Sequence, residues 1–307
     1  MSEILSMSLV ISGIYLSTPL LFAAFGGLVA ERSGVINIAL EGQMLFGAFT
    51  GVAVAWWLNS HILGMFAALV VGGMTGALLA WFAVTLGANQ IVAATAINLI
   101  AFGLTAALVE PIWGRPGSSP SVSKFGRIDV PLLSDIPVVG RVFTDLTVVE
   151  WAALLLAPVA FVVLYRTPLG LRLRACGEEP HAAASVGVKV TTVRYQAVIF
   201  SGIVAAAGGA YLSLVQVGAF QRGMTQGRGF LALAAMIFGK WRPVPVFAAC
   251  LLFGMADAFQ LRAQTVGVDL PHELLIALPY VVALIALATF VGRAAAPAAI
   301  GKTYQRD

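Results

Sequence analysis

Long apolar stretches separated by short polar segments dominate the chain, at roughly 9–30, 37–58, 62–85, 89–110, 148–165, 195–216, 243–262 and 272–292. Each is close to or beyond the ~20 residues that an α-helix needs to cross about 30 Å of hydrocarbon. A shorter run at 229–239 has apolar length for only half a crossing. It either extends backwards through the polar residues 221–228 or re-enters on the same side. The pattern predicts an all-α integral membrane protein: a polytopic helical bundle of about nine transmembrane helices, within a range of 8–10, forming a single transmembrane domain over residues 1–307.

Two polar segments set its orientation. Residues 111–146 are rich in Pro, Gly and Ser, too polar for lipid and too irregular for a core helix, so they form an exposed loop. Residues 166–194 carry Arg166, Arg172, Arg174, Lys189 and Arg194 and belong on the cytoplasmic side. Parity then puts 111–146 outside and Arg32 inside. Counting 229–239 as part of a crossing places Lys240, Arg242 and the basic tail inside as well, which gives N-out/C-in. No base precedes Arg32, so the first run is expected to stay as a membrane helix rather than be removed as a leader.

Composition narrows the classes. Apolar residues make up 60% of the chain and charged ones only 10%, against about a quarter charged in a soluble domain. Lipid must therefore solvate most of the surface. The net charge of +4 comes from bases clustered in a few loops, which speaks against nucleic acid as a partner. Cys176 and Cys250 lie far from any CxxC pattern and read as small apolar side chains. His61, His181 and His272 have no ligating neighbour at helical spacing. The Gly-Lys-Thr at 301–303 ends like a phosphate-binding loop, but Ala296 stands where its leading Gly belongs, so it reads as a solvated tail.

The candidate chemistry lies in polar residues inside apolar runs, where each is costly unless it meets a cavity or a partner. Asn37 and Glu41 sit four apart, on one face if the segment is helical, and glycines at 34 and 42 could interrupt that helix. Pairing with another helix is at least as good a reading for them as solute contact. Asn89 and Gln90 open the fourth run, and Asn98 lies about 13 Å deeper. Neutral amides suit an uncharged polar solute, and equally a hydrogen bond between helices. Asp257 and Gln260 form a third group. No file of carboxylates spans the membrane, which argues against a proton-driven carrier. Small residues at Ser201, Ala205, Gly209 and Ser213, and GxxxG at 47–51 and 72–76, read as internal helix packing in preference to a dimer face. A faint similarity between 40–47 and 231–239 is compatible with an inverted repeat and equally with chance.

Within 166–194, Pro180 suits a first helical turn, Glu178 and Glu179 complement its positive end, and Gly187 is a plausible terminator. A short helix of about two turns results, small-sided through Ala182, Ala183 and Ala184. It is either a plug for a groove on a cytosolic partner or a plain connector.

Four ordered stretches, GGLVAERSGVINIALEGQMLFGAF (26–49), ANQIVAATAINLIAFGLT (88–105), TPLGLRLRACGEEPHAAASVGVKV (167–190) and GRGFLALAAMIFGKWRPVPVFAACLLFGMADAFQ (227–260), together resemble the ABC-importer permeases that handle branched-chain amino acids, simple sugars and nucleosides. The ERSGVINIALEG signature is most similar to the nucleoside and simple-sugar branch, and Ala94 stands where many relatives have Gly. The resemblance implies a multi-pass permease subunit in the bacterial plasma membrane that joins a second permease, often a related but different chain, to enclose the path. It also implies a cytosolic ATPase with two nucleotide-binding domains, which holds ATP and Mg so that this chain carries no cofactor and is no enzyme, and an extracytoplasmic substrate-binding protein. On this chain the coupling segment would comprise Gly177, Glu178, Glu179, Pro180, Ala183 and Gly187, and the substrate path Asn37, Glu41, Asn89, Gln90 and Asn98. Nucleosides are the expected cargo, with a ribose-type sugar or a branched-chain amino acid as alternatives. A self-sufficient secondary transporter is a more distant reading, since it has no need of a coupling segment. A membrane enzyme lacks a nucleophile–base pair or metal cluster.

Overall fold

The computed structural model describes residues 7–126, 146–266, 277, 281, 285 and 296–304. The expected loop at 111–146 is described only at its two ends, and the expected span at 272–292 lies outside the described residues apart from three isolated positions. The described helices are α1 (Met7–Arg32), α2 (Leu40–Leu58), α3 (His61–Ala80), α4 (Gln90–Trp113), α5 (Val148–Arg166), α6 (Pro168–Glu178), α7 (Pro180–Ser185), α8 (Val190–Tyr211), α9 (Arg228–Phe238) and α10 (Pro243–Val266). π-helical turns at Trp81–Thr85 and Leu212–Val217 prolong α3 and α8. An isolated β bridge pairs Ser118 with Gln221. Among the described residues, six helices are long and apolar enough to cross a membrane.

Each long helix is apolar on most of its circumference, so burial is decided by which elements allow close approach. α8 sits at the centre against α1, α2 and α3, and its small residues make that possible. A methyl group on Gly47 would fall 2.2 Å from the Ala206 carbonyl, and one on Gly72 2.4 Å from that of Gly202. One on Gly209 would fall 1.7 Å from the Met44 carbonyl. The GxxxG and small-residue stripes are therefore internal packing faces. Outside this centre, α3, α4 and α5 expose Phe66, Val70, Met74, Leu99, Leu155 and Val159, the surface lipid would wet.

Three elements differ from expectation. The second run begins as a helix only at Leu40, because residues 33–39 are a buried, non-helical junction opened by Gly34, whose φ of +95° favours glycine. Gly42 does not break α2. Its missing side chain instead admits Asn98, whose Oδ1 would lie 2.8 Å from an added methyl. Residues 168–178, expected as loop, form α6. Thr167 caps it by accepting the Gly170 N–H (3.2 Å), and Pro168 occupies the first turn.

The run at 229–239 is the helical half of a longer passage. Its upstream stretch begins beside the loop that follows α4, where Ser119 N–H donates to the Phe220 carbonyl (2.9 Å). Beyond α9 the chain reaches the far end of the bundle, where Trp241 Nε1 donates to Glu31 (2.6 Å) and Arg32 Nε donates to the Trp241 carbonyl (2.8 Å). The starts of α2 and α9, where the two segments of faint similarity begin, lie against each other at Glu41 and Gly229.

Candidate functional site

Non-helical backbone deep in a membrane protein needs its polar groups met, and at junction 33–39 polar side chains from the sequence's apolar runs meet three of them. Ile36 N–H donates to Gln90 Oε1 (2.7 Å), Ala39 N–H to Asn37 Oδ1 (3.0 Å), and Asn98 Nδ2 to the Ile38 carbonyl (3.0 Å). Asn98 Oδ1 also accepts from Gly42 N–H (2.7 Å). Asn37 Nδ2 reaches Gln43 Oε1 (3.0 Å) and Ser201 Oγ (2.8 Å).

Glu41, in the first turn of α2, points elsewhere. Its two oxygens accept the N–H groups of Gly227 (2.8 Å) and Gly229 (2.6 Å), so a buried carboxylate holds the positive end of α9. Asn37 precedes the helix, and the expected shared face of Asn37 and Glu41 therefore does not exist: one caps the junction, the other pins α9. Asn89 is exposed and caps α4, accepting from Ile91 and Val92 (3.0 and 3.2 Å). Of the five amide and carboxylate positions, Asn37, Glu41, Gln90 and Asn98 are buried around one junction, and Asn89 stands apart at its edge.

The coupling candidates cluster at the same end. Gly177 packs directly on the end of α1, where a methyl group would fall 2.2 Å from the Arg32 carbonyl. Its own carbonyl accepts Ala299 N–H (2.9 Å). Glu178, half exposed, lies 3.9 Å from Arg32 and accepts Ala298 N–H (3.2 Å). Glu179 is exposed at the start of α7, and Pro180 occupies the first turn. Gly187, at φ +87°, closes α7: its N–H donates to the Ala184 carbonyl and that of Val188 to Ala183. Ala183 does not face outward as the small-sided reading required. It is buried against Cys176 and Val190, because α7 must cover that apolar cluster. The outward face is His181, Ala182, Ser185 and Val186. Burial pushes the Cys176 thiol above its ordinary range, with the Arg194 charge opposing.

Two features escape sequence reasoning. Arg194, by pattern one more loop base, is almost fully buried and bridges three segments, donating to the carbonyls of Ser33 (3.2 Å), Lys302 (2.9 Å) and Cys176 (3.5 Å). The tail at 296–304 is docked by its backbone, with Gly301 N–H on the Gly34 carbonyl (3.0 Å), while the side chains of Lys302 and Thr303 stay exposed. A clue lies in Arg194 itself, which falls at the edge of a long apolar run where a charge needs partners.

Residues 9–287 match the family described as the branched-chain amino acid transport system / permease component. The chain is 36% identical to the guanosine ABC transporter permease protein NupQ of Bacillus subtilis (strain 168), over 98% of this chain and 97% of the relative. It is 37% identical to the nucleoside ABC transporter permease protein NupC of Lactococcus lactis subsp. cremoris (strain MG1363), over 94% and 93%. A putative glucose ABC transporter permease protein, TsgC13 of Haloferax volcanii, is also 37% identical, over 83% and 77%. With six apolar helices of crossing length among the described residues, the chain is a multi-pass protein of the bacterial plasma membrane and the membrane component of a transporter. It belongs to the branched-chain amino acid transport system / permease component family.

Proposed function

We propose that this chain is the permease subunit of an ATP-driven nucleoside importer and forms the path together with a second permease. The observation that carries the cargo is near-full-length identity of 36–37% to two permeases named for guanosine and for nucleosides. A simple sugar is the second reading, favoured by the similarly identical glucose permease. In this reading the chain crosses the membrane about nine times, N-out/C-in. The basic segment 166–194 and the docked tail face the cytoplasm, and residues 111–146 lie outside. ATP and Mg reside on a cytosolic ATPase with two nucleotide-binding domains, and an extracytoplasmic binding protein delivers the solute.

The outward face of α7 then meets the ATPase. Gly177 and Glu178 are bolted to Arg32 and the tail, Arg194 ties that assembly to junction 33–39, and Glu41 ties the start of α2 to α9. Movement at α7 thus has a continuous packed route to α9. The amides Asn37 and Asn98 serve the path by holding its shape, since both their oxygen and their nitrogen bond within the chain, and Gln90 does so through its Oε1. The reading is tested by binding-protein-dependent uptake in vesicles containing the whole complex, with labelled nucleosides, ribose, glucose and branched-chain amino acids in parallel. Nucleoside uptake alone is expected. Sugar uptake alone would transfer the cargo to the second reading.

A further inference from the structure

A second interruption lies upstream of α9. From Gly218 to Gly227 the chain descends in tight turns: Met224 N–H donates to the Gln221 carbonyl, Gln226 N–H to Gly223, and Arg228 N–H to Thr225. Gln226 adopts φ +47°, a left-handed conformation that costs a side-chain-bearing residue energy. The backbone is met from outside as well, by the Gly117 carbonyl at Arg222 N–H (2.9 Å) and by Glu41 at Gly227.

The side chains are another matter. Gln221, Arg222 and Gln226 are exposed, and among the described residues neither glutamine amide has a hydrogen-bond partner. In the first turn of α9, Phe230 is 46% exposed. Gln226 precedes the amide that Glu41 holds, and Glu41 precedes Gly42, which Asn98 holds from eight residues into α4, about 12 Å along that helix. Gln226 therefore lies well inside the span of the bundle, while Gln221 and Arg222 sit at its loop end, beside Ser118 and Gly117. An exposed amide without a partner is disfavoured there against lipid, so Gln226 faces water or protein. Beneath it, the Thr225 hydroxyl is fully buried with no partner among the described residues.

We propose that Gln221, Gln226 and Phe230 form the wall with which this chain touches the solute as it crosses. The inference rests on the nucleoside-importer reading for its ligand. Free amides both donate to and accept from hydroxyls such as those of a ribose, while an exposed ring offers a flat apolar face to a base. Such contacts are individually weak, as a conduit requires. Discontinuous helices near the middle of the membrane build solute sites by this means in transporters generally.

The test uses the complete complex in nanodiscs, with single cysteines in a chain lacking Cys176 and Cys250. Gln226→Cys should react with a hydrophilic thiosulfonate at least about ten times faster than Val70→Cys on the lipid-facing side of α3, and millimolar guanosine should slow it. Gln226→Leu should lower nucleoside uptake about five-fold, the loss of roughly one net hydrogen bond. Complex yield should be unchanged, with Gln226→Asn recovering at least half of uptake. Labelling at 226 no faster than at 70 would overturn the proposal, as would wild-type uptake by Gln226→Leu. If Gln226→Leu fails to assemble, Gln221→Leu and the labelling comparison decide by the same criteria. A wild-type complex that moves no nucleoside while 226 reacts quickly and is protected by its true cargo would sink the cargo reading and leave the wall standing.

Discussion

Between residues 33 and 39 the chain breaks its helix in a largely buried junction where Asn37, Gln90 and Asn98 each bond the backbone or a neighbouring side chain. Between 218 and 227 it breaks again, but there the backbone is met while Gln221, Arg222 and Gln226 stay exposed. Both stretches carry polar side chains and both interrupt the helical course of the chain. One spends its side chains on holding the fold, and the other keeps them available. Glu41 joins the two, since it begins the helix after the first break and holds the amides that end the second.

The largest effect should come from cutting that joint. Glu41→Ala strands one buried and one part-buried N–H group, each costing about 1–3 kcal/mol, so a loss on the order of 3 kcal/mol is expected, read as a lowered thermal midpoint and poor recovery of the complex. Glu41→Gln, which keeps an acceptor, should lose about half as much. A wild-type midpoint with abolished uptake would mean that Glu41 belongs to the solute face and that the contrast fails.

Asn98→Leu is the matching probe of the first break. It removes two bonds, to Gly42 N–H and the Ile38 carbonyl, and should cost about 2 kcal/mol. Uptake should fall only as far as the amount of folded complex falls. Uptake lost from fully assembled protein would move Asn98 to the path.

A third pair separates structure from transmission on α7. Ala183→Trp overfills the cluster with Cys176 and Val190 and should destabilise the chain by about 1–3 kcal/mol. Ala182→Trp, on the exposed side, should leave the midpoint within about 0.5 kcal/mol while lowering solute-stimulated ATP hydrolysis and uptake together. Full coupling in Ala182→Trp would remove α7 from the route to the junction.

The smallest perturbation fixes which end is which. Ser119 is buried and its Oγ accepts Phe220 N–H (2.8 Å), so it is a poor reporter. The exposed pair Arg115→Cys and Ser185→Cys serves better. On intact cells an impermeant maleimide should label 115 and spare 185, while Cys176 and Cys250 stay silent because both are buried. The reverse pattern would invert the orientation and place the second break on the cytoplasmic half.

Much of the architecture is legible in the order of the residues. Apolar length marks the crossing helices, small residues at fourfold spacing mark the close packing around α8, and Pro180 with Gly187 marks the two ends of α7. These depend on neighbours along the chain, where helical geometry turns spacing directly into position. α6 is harder to read although Thr167 and Pro168 announce it, because the basic content of 166–194 is equally the mark of a loop.

What the sequence does not decide is the use of each polar side chain. Asn98 and Gln226 are both amides in apolar surroundings, and their local patterns are interchangeable. Only the fold brings Gly42 and Ile38 to Asn98 across a gap of more than fifty residues, and only the fold leaves the Gln226 amide without a partner among the described residues. Arg194 makes the same point, since its three carbonyl partners come from three distant segments. A buried polar group is stable wherever its bonds are met, and which groups meet is set by how the helices pack. Membership of the membrane, the crossing helices and the family signatures are written in the chain. The division between amides that hold the structure and amides left free is made by tertiary packing alone.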